Sequence, residues 1–236
     1  MKKSLSTPEA VRSRLQANLS KRGYLLPQQG LMATAMPELQ DAYMVMYTAL
    51  TLDQNHLTPL EREFVWLGIL TAAGESIGTH HVKLFFELGG TQKDAEIVFR
   101  LVTLAMGAAH SFQFIDEHWQ IHFDAVPAAT AYRDMTKQLL LGSQVELPLA
   151  RLILLGIHTT FGHKWGVKQE LEAGYDLGVD EGKMAEAICL PFWAAGVNRL
   201  IDASEIWLEL MRSGRVKPSS SFEAWAKMGS QGAMPI

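Results

Sequence analysis

Two adjacent histidines, His80 and His81, stand in the stretch GESIGTHHVKLFFELGGT, and Glu63 precedes them in TPLEREFVWLGIL. Histidine is the side chain that titrates near neutral pH without perturbation, so these residues are the first candidates for proton transfer. A carboxyl buried beside them without a cation would hold its proton and could serve as the acid. The predicted catalytic set is therefore His81 and Glu63 as acid and base, with His80 as auxiliary. The plainer alternative makes Glu63 a solvated helix residue paired with Arg62 or a neighbouring chain, and His80 a cap of its helix.

His110, Glu75, Trp66 and Trp165 are the candidates for lining a substrate pocket, although aromatic residues at helical spacing most simply fill a core. His118 and His122 lie four apart, which on a regular helix puts both imidazoles on one face, where they can chelate a metal. The order His-Glu-x-x-His is absent and no third ligand stands nearby, so no metal and no cofactor are expected. Cys189, the one cysteine, sits in EAICLPF, among apolar neighbours that keep a thiol protonated.

The elements that must position these groups read as helices. Thr58-Pro59-Leu60-Glu61 is a capping box with proline at the first helical position, followed by an apolar run to Gly74. Further stops are predicted at Gly23, Gly89-Gly90, Gly107, Gly142, Gly162, Gly178, Gly196 and Gly214, and strand alternation is hard to find. The expected fold class is all-α.

A repeat also runs through the chain. Gly68-Ile69-x-Thr71-x-x-Gly74-x-x-x-Gly78 reappears as Gly156-Ile157-x-Thr159-x-x-Gly162-x-x-x-Gly166, at a constant offset of 88 (68 to 156, 74 to 162, 78 to 166). The implied organisation is an N-terminal helix and lead-in (1–36), a first repeat (37–122), a connecting helix (123–145), a second repeat (146–214) and a C-terminal arm (215–236). At this offset Glu63 corresponds to Arg151, His81 to Gln169 and Glu75 to His163, so the acid and base belong to the first repeat alone. The Ser- and Pro-rich arm reads as a segment lying on a neighbour or partly disordered.

Composition excludes several classes. A net charge of -4 with scattered Lys and Arg argues against nucleic acid as a partner. The longest apolar stretch noted, Ala187 to Val197, contains Pro191 and is too short to span a bilayer, so no membrane segment is expected. One cysteine and an N-terminus without an apolar signal core point to the cytoplasm.

At Leu57 to Glu63, the turn from Gly74 to Gly78, the histidine and the stop Gly89-Gly90-Thr91, the sequence resembles the AhpD-like superfamily, which includes the carboxymuconolactone decarboxylases. The resemblance implies an AhpD-like helical bundle of two tandem repeats. In the peroxidase branch the turn carries Cys-x-x-Cys. Here Glu75 and Gly78 occupy those positions, so a thiol peroxidase is disfavoured. Counting from Gly74 puts Val82 at the family's histidine, and counting back from Gly89 and Thr91 puts His81 there.

The resemblance implies decarboxylase-like or isomerase-like chemistry on a small carboxylated, ring-derived substrate. The rival is a catalytically degenerate protein that binds a small molecule or partner. It also implies a homo-oligomer, a trimer by analogy with a dimer as the other option, and apolar helix faces such as Leu149 to Ile157 are expected to meet neighbouring chains.

Overall fold

The computed structural model describes residues 4–231, and every regular element among them is helical. The chain divides into two compact units, residues 1–53 and 54–236.

The first unit holds α1 (Pro8–Arg22), α2 (Pro27–Ala35), α3 (Pro37–Tyr47) and a π-helical turn (Thr48–Leu52). Each helix begins on a proline, whose fixed φ suits the first turn and whose missing N–H costs nothing there. Gly23 ends α1 in the left-handed region. The Arg22 guanidinium stacks over the Tyr24 and Tyr47 rings, at 4.6 and 3.9 Å from their centroids. The α3 segment, read from sequence as the opening of the first repeat, belongs to this unit and packs on α2.

The second unit is built on α4 (Pro59–Ala73) and α9 (Leu147–Phe161). Between them come α5 (Thr79–Glu87), α6 (Gln92–His110), a short α7 (Phe112–Phe114) and α8 (Ala128–Leu139). After them follow α10 (Lys164–Asp176), α11 (Glu181–Cys189), α12 (Phe192–Ala195), α13 (Val197–Arg212) and α14 (Ser220–Lys227). The capping box closes α4: the Thr58 hydroxyl accepts from Glu61 N–H, and the Glu61 carboxylate accepts from Thr58 N–H.

The entry to α4 is pinned from α11. The Glu186 carboxylate accepts from the His56 and Leu57 N–H groups at 2.7 Å each, and Lys183 pairs with Glu61 at 2.7 Å.

Residues Ala150–Thr160 of α9 are all buried, as are Arg62–Leu70 of α4, the pattern of helices surrounded by protein. The two cross at their glycines. A Cβ on Gly68 would lie 3.1 Å from both Ile153 and Ile157, and one on Gly156 would lie 3.1 Å from Val65 and 3.3 Å from Ile69. The contacts are reciprocal, and each partner is 88 residues from its counterpart. Bare glycines let two helices approach to this distance. The segment Leu149 to Ile157, expected to meet other chains, is instead the centre of this chain's own core, because Gly156 lets α4 cover it.

Three further expectations are corrected. Gly107 does not stop a helix but lies inside α6, since a glycine with helical neighbours on both sides lowers stability without ending the hydrogen-bond ladder. The apolar stretch of bilayer-spanning length lies within the helical run 92–122, not at Ala187–Val197, the stretch noted from sequence. An 18-residue window within it has mean hydropathy 1.3, apolar and long enough to cross a membrane, while Ile97, Val98, Leu101 and Ala105 of α6 are buried in a helix packed on α4 and α9. The C-terminal arm is not loose over 220–227. There α14 returns onto α13, with Phe222 stacked on Trp207 at 4.7 Å and Arg212 donating to the Ala226 and Met228 carbonyls. Residues 232–236 of the arm lie outside the described residues.

Candidate functional site

Glu63 projects from α4 and His81 from the first turn of α5, and the hairpin between them brings His81 Nδ1 to 2.8 Å from Glu63 Oε2. Gly74 makes this hairpin possible: it ends α4 at φ 64°, where a Cβ would be strained. Gly78 lies so close to Leu70 that a Cβ there would stand 2.5 Å from a Leu70 methyl carbon.

Both members of the pair are buried, at 6% and 7% exposure. The condition set from sequence, a carboxyl without a partner, is therefore not met. Trp66 stacks on the His81 ring at 4.5 Å and the half-buried His80 lies beside it, ring centroids 4.1 Å apart. The indole N–H of Trp66 is buried and has no acceptor among the described residues.

The other candidates lie apart from this pair. Glu75 is exposed and accepts from Ile77 N–H at 2.7 Å, which shapes the α4–α5 turn. His110 is the exposed last residue of α6 and lines a shallow cleft with Phe114, Glu117 and His118. Trp165, on α10, donates to Asp116 at 2.8 Å and meets Tyr132 edge-on. His118 ends up in a π-helical turn (Ile115–Trp119) and His122 in a 3₁₀ turn (Gln120–His122), so the α-helical geometry that aligns residues four apart is missing. Among the described residues no group of three or more acidic, histidine or cysteine side chains could hold a metal ion. Burial and the nearby Glu186 push the Cys189 thiol up, against thiolate formation.

A second polar cluster, missed from sequence, joins α8, α9 and α10. Arg151 Nη1 reaches both Glu170 oxygens at 3.2 Å, and the Tyr132 hydroxyl donates to Glu170 Oε1 at 2.5 Å. Tyr132 has one proton and gives it to Glu170, so His158 Nε2, 2.9 Å from the same oxygen, must be the donor there. That leaves His158 Nδ1 as a bare acceptor, buried and unpartnered among the described residues.

Burial pushes Glu170 up, with Arg151 and Tyr132 pulling back, and raises Tyr132 well above its ordinary range. The ungapped repeat count pairs His81 with Gln169, yet the side chain that meets Arg151 is Glu170, one residue further on. Glu63–His81 and Arg151–Glu170 thus hold successive hairpins in the same way. The signal available in the sequence was charge: an arginine inside the apolar run LARLILLGI requires a buried partner.

His158 is pushed down to about 3, first by burial and then by the His163 and Arg151 charges. In the unfolded chain it titrates near 6.5, so below that pH the unfolded state binds the proton and the folded state refuses it. Stability is then lost as pH falls from about 6.5 toward about 3, at up to about 1.4 kcal/mol per pH unit from this group. Urea midpoints for the wild type and His158→Leu between pH 7 and pH 4 check this. The variant is expected to show the shallower decline, and equal slopes would remove the assignment.

No protein-family model, curated protein or solved structure matches the chain.

Proposed function

We propose that the second unit carries two tandem AhpD-like repeats, and that the first performs decarboxylase-like or isomerase-like proton transfer on a small carboxylated, ring-derived substrate. The observation that carries this reading is the buried 2.8 Å contact between His81 and Glu63 under the face of Trp66. The reciprocal glycine contacts of α4 and α9, at the 88-residue offset, support the repeats.

With Glu63 ionised, His81 Nδ1–H donates to it and Nε2 keeps its lone pair as a base. When Nε2 takes the proton of the substrate's carboxyl group, Glu63 stabilises the imidazolium. As the carboxylate leaves as carbon dioxide, the bonding electron pair passes to the ring as a dienolate, and His81 returns a proton to carbon. The unpaired Trp66 N–H offers a donor for a developing oxyanion, and His80 is placed to adjust the His81 ring.

Exposed Val82 and Phe86 on α5, and Phe99 and Met106 on α6, supply apolar surface that supports self-association.

A binding protein without catalysis is the second reading, favoured by the likeness of Glu63–His81 to the sealed Arg151–Glu170 pair. The test is turnover of unsaturated lactone acids by His81→Ala and Glu63→Gln. Each is expected to lower kcat by about 10²–10⁴-fold, the usual worth of a positioned acid or base. Turnover absent in the wild type favours the binder, and turnover unchanged in both variants removes His81 and Glu63 from the chemistry.

A further inference from the structure

We propose that the polar cleft between α8 and α10, separate from the His81 pair, binds a small hydroxylated monocarboxylate. The cleft encloses about 420 Å³ and is lined by Thr130, Arg133, Lys168, Gln169, Glu172 and Arg215, with Asp116 at its side. That volume falls within the range of small-molecule sites.

Its charges are unevenly satisfied. Glu172 binds Arg133 at 3.4 Å and Arg215 at 2.7 Å, and Asp176 takes the other Arg133 nitrogen at 3.1 Å, so the two guanidiniums are balanced by two carboxylates. Lys168 is half-buried and makes no ion pair among the described residues. Lys168 is thus the one cation of the cleft without an ion pair among the described residues, and Asp116, fixed by Trp165 on the same lining, disfavours more than one negative charge on a ligand.

Gln169 supplies the second requirement. It is 96% buried by its 4% exposure, lines this cleft, and its amide makes no hydrogen bond among the described residues; Oε1 is wholly shielded from solvent. A carboxylate at Lys168 that carries a hydroxyl toward Gln169 gives the outward end of this amide a partner, whereas an alkyl acid would leave it bare.

Calorimetric titration of the whole chain with gluconate and with hexanoate, acids of equal carbon number, tests the proposal. Gluconate is expected to bind saturably at one site, at least tenfold tighter than hexanoate. Lys168→Met should weaken gluconate at least tenfold. Gln169→Leu, which replaces an unsatisfied amide by an apolar group of similar size, should keep its Tm and bind the two acids equally. His81→Ala should bind gluconate as the wild type does, so this result stands apart from the outcome of the turnover assay. No saturable gluconate binding, equal binding of both acids by the wild type, or undiminished binding by Lys168→Met would overturn the site.

Discussion

Replacing Arg151 by Met is expected to destabilise the protein by about 3–5 kcal/mol, the cost of leaving one member of a buried ion pair without the other. Arg151 is 3% exposed and the Glu170 side chain is fully buried. Two guanidinium contacts at 3.2 Å and the Tyr132 hydroxyl are the hydrogen bonds the Glu170 carboxylate receives. Without Arg151, the carboxylate must take up a proton or draw in water, and either erodes the α9–α10 contact. The double variant Arg151→Met/Glu170→Leu removes both charges and is expected to recover most of the loss, since apolar replacement of a whole buried pair is often near neutral.

The pH response separates this cause from simple loss of packing. Burial already holds Glu170 above the ordinary carboxylate range, and removing the cation raises it further. A carboxyl raised on folding contributes stability at low pH that is lost as pH rises through its folded value. Arg151→Met should accordingly recover part of its deficit in mild acid, and the double variant should not. Urea unfolding of the four proteins in this cycle measures the coupling directly. A single-variant cost below about 1 kcal/mol would mean that the pair is not dry.

The second large effect is expected at Gly166. A Cβ there would stand 2.1 Å from His158 Nδ1 and 2.4 Å from two ring carbons, closer than atoms can approach. The ring is not free to step aside, because His158 Nε2 is tied to Tyr132 at 2.9 Å inside a fully buried network. Gly166→Ala therefore forces either a backbone shift in α10 or loss of that hydrogen bond, at about 1–3 kcal/mol for overpacking and about 1–3 kcal/mol for an unmade buried bond.

Gly107→Ala is the internal control. It is also helical, with nothing within 4 Å of its Cβ position, and should gain about 0.5–1 kcal/mol from helix propensity. Thermal and urea unfolding of both variants, with opposite signs expected, check the geometry. A Gly166→Ala protein as stable as the wild type would show that the α9–α10 spacing is wider than described.

Local features were legible from the chain. Thr58, Pro59 and Glu61 form the predicted box, and Gly23, Gly74 and Gly162 end helices in the left-handed conformation. These depend on a few neighbouring residues and need no knowledge of the fold. The candidate site was legible in part. The pairing of His81 with Glu63 follows from a short hairpin that returns α5 beside α4, but that Glu75 serves the turn and His110 faces another cleft does not. Gly107 misled because a glycine that ends a helix and one that lies within it look alike without the φ angle.

The amino-acid order by itself determined that the chain is helical, where many of its helices begin and end, and that two glycine-marked segments recur 88 residues apart. Tertiary structure decided which charges meet. Gln169 and Glu170 differ by one step, about 100° around a helix, and that rotation alone puts Glu170 on Arg151 and leaves Gln169 lining a polar cleft. Tyr132 comes from a segment read as a mere connector, yet it joins Glu170 to His158 across 38 and 26 residues of chain. Capping and periodicity act over one helical turn, whereas buried polar groups find partners according to how whole helices are rotated against one another.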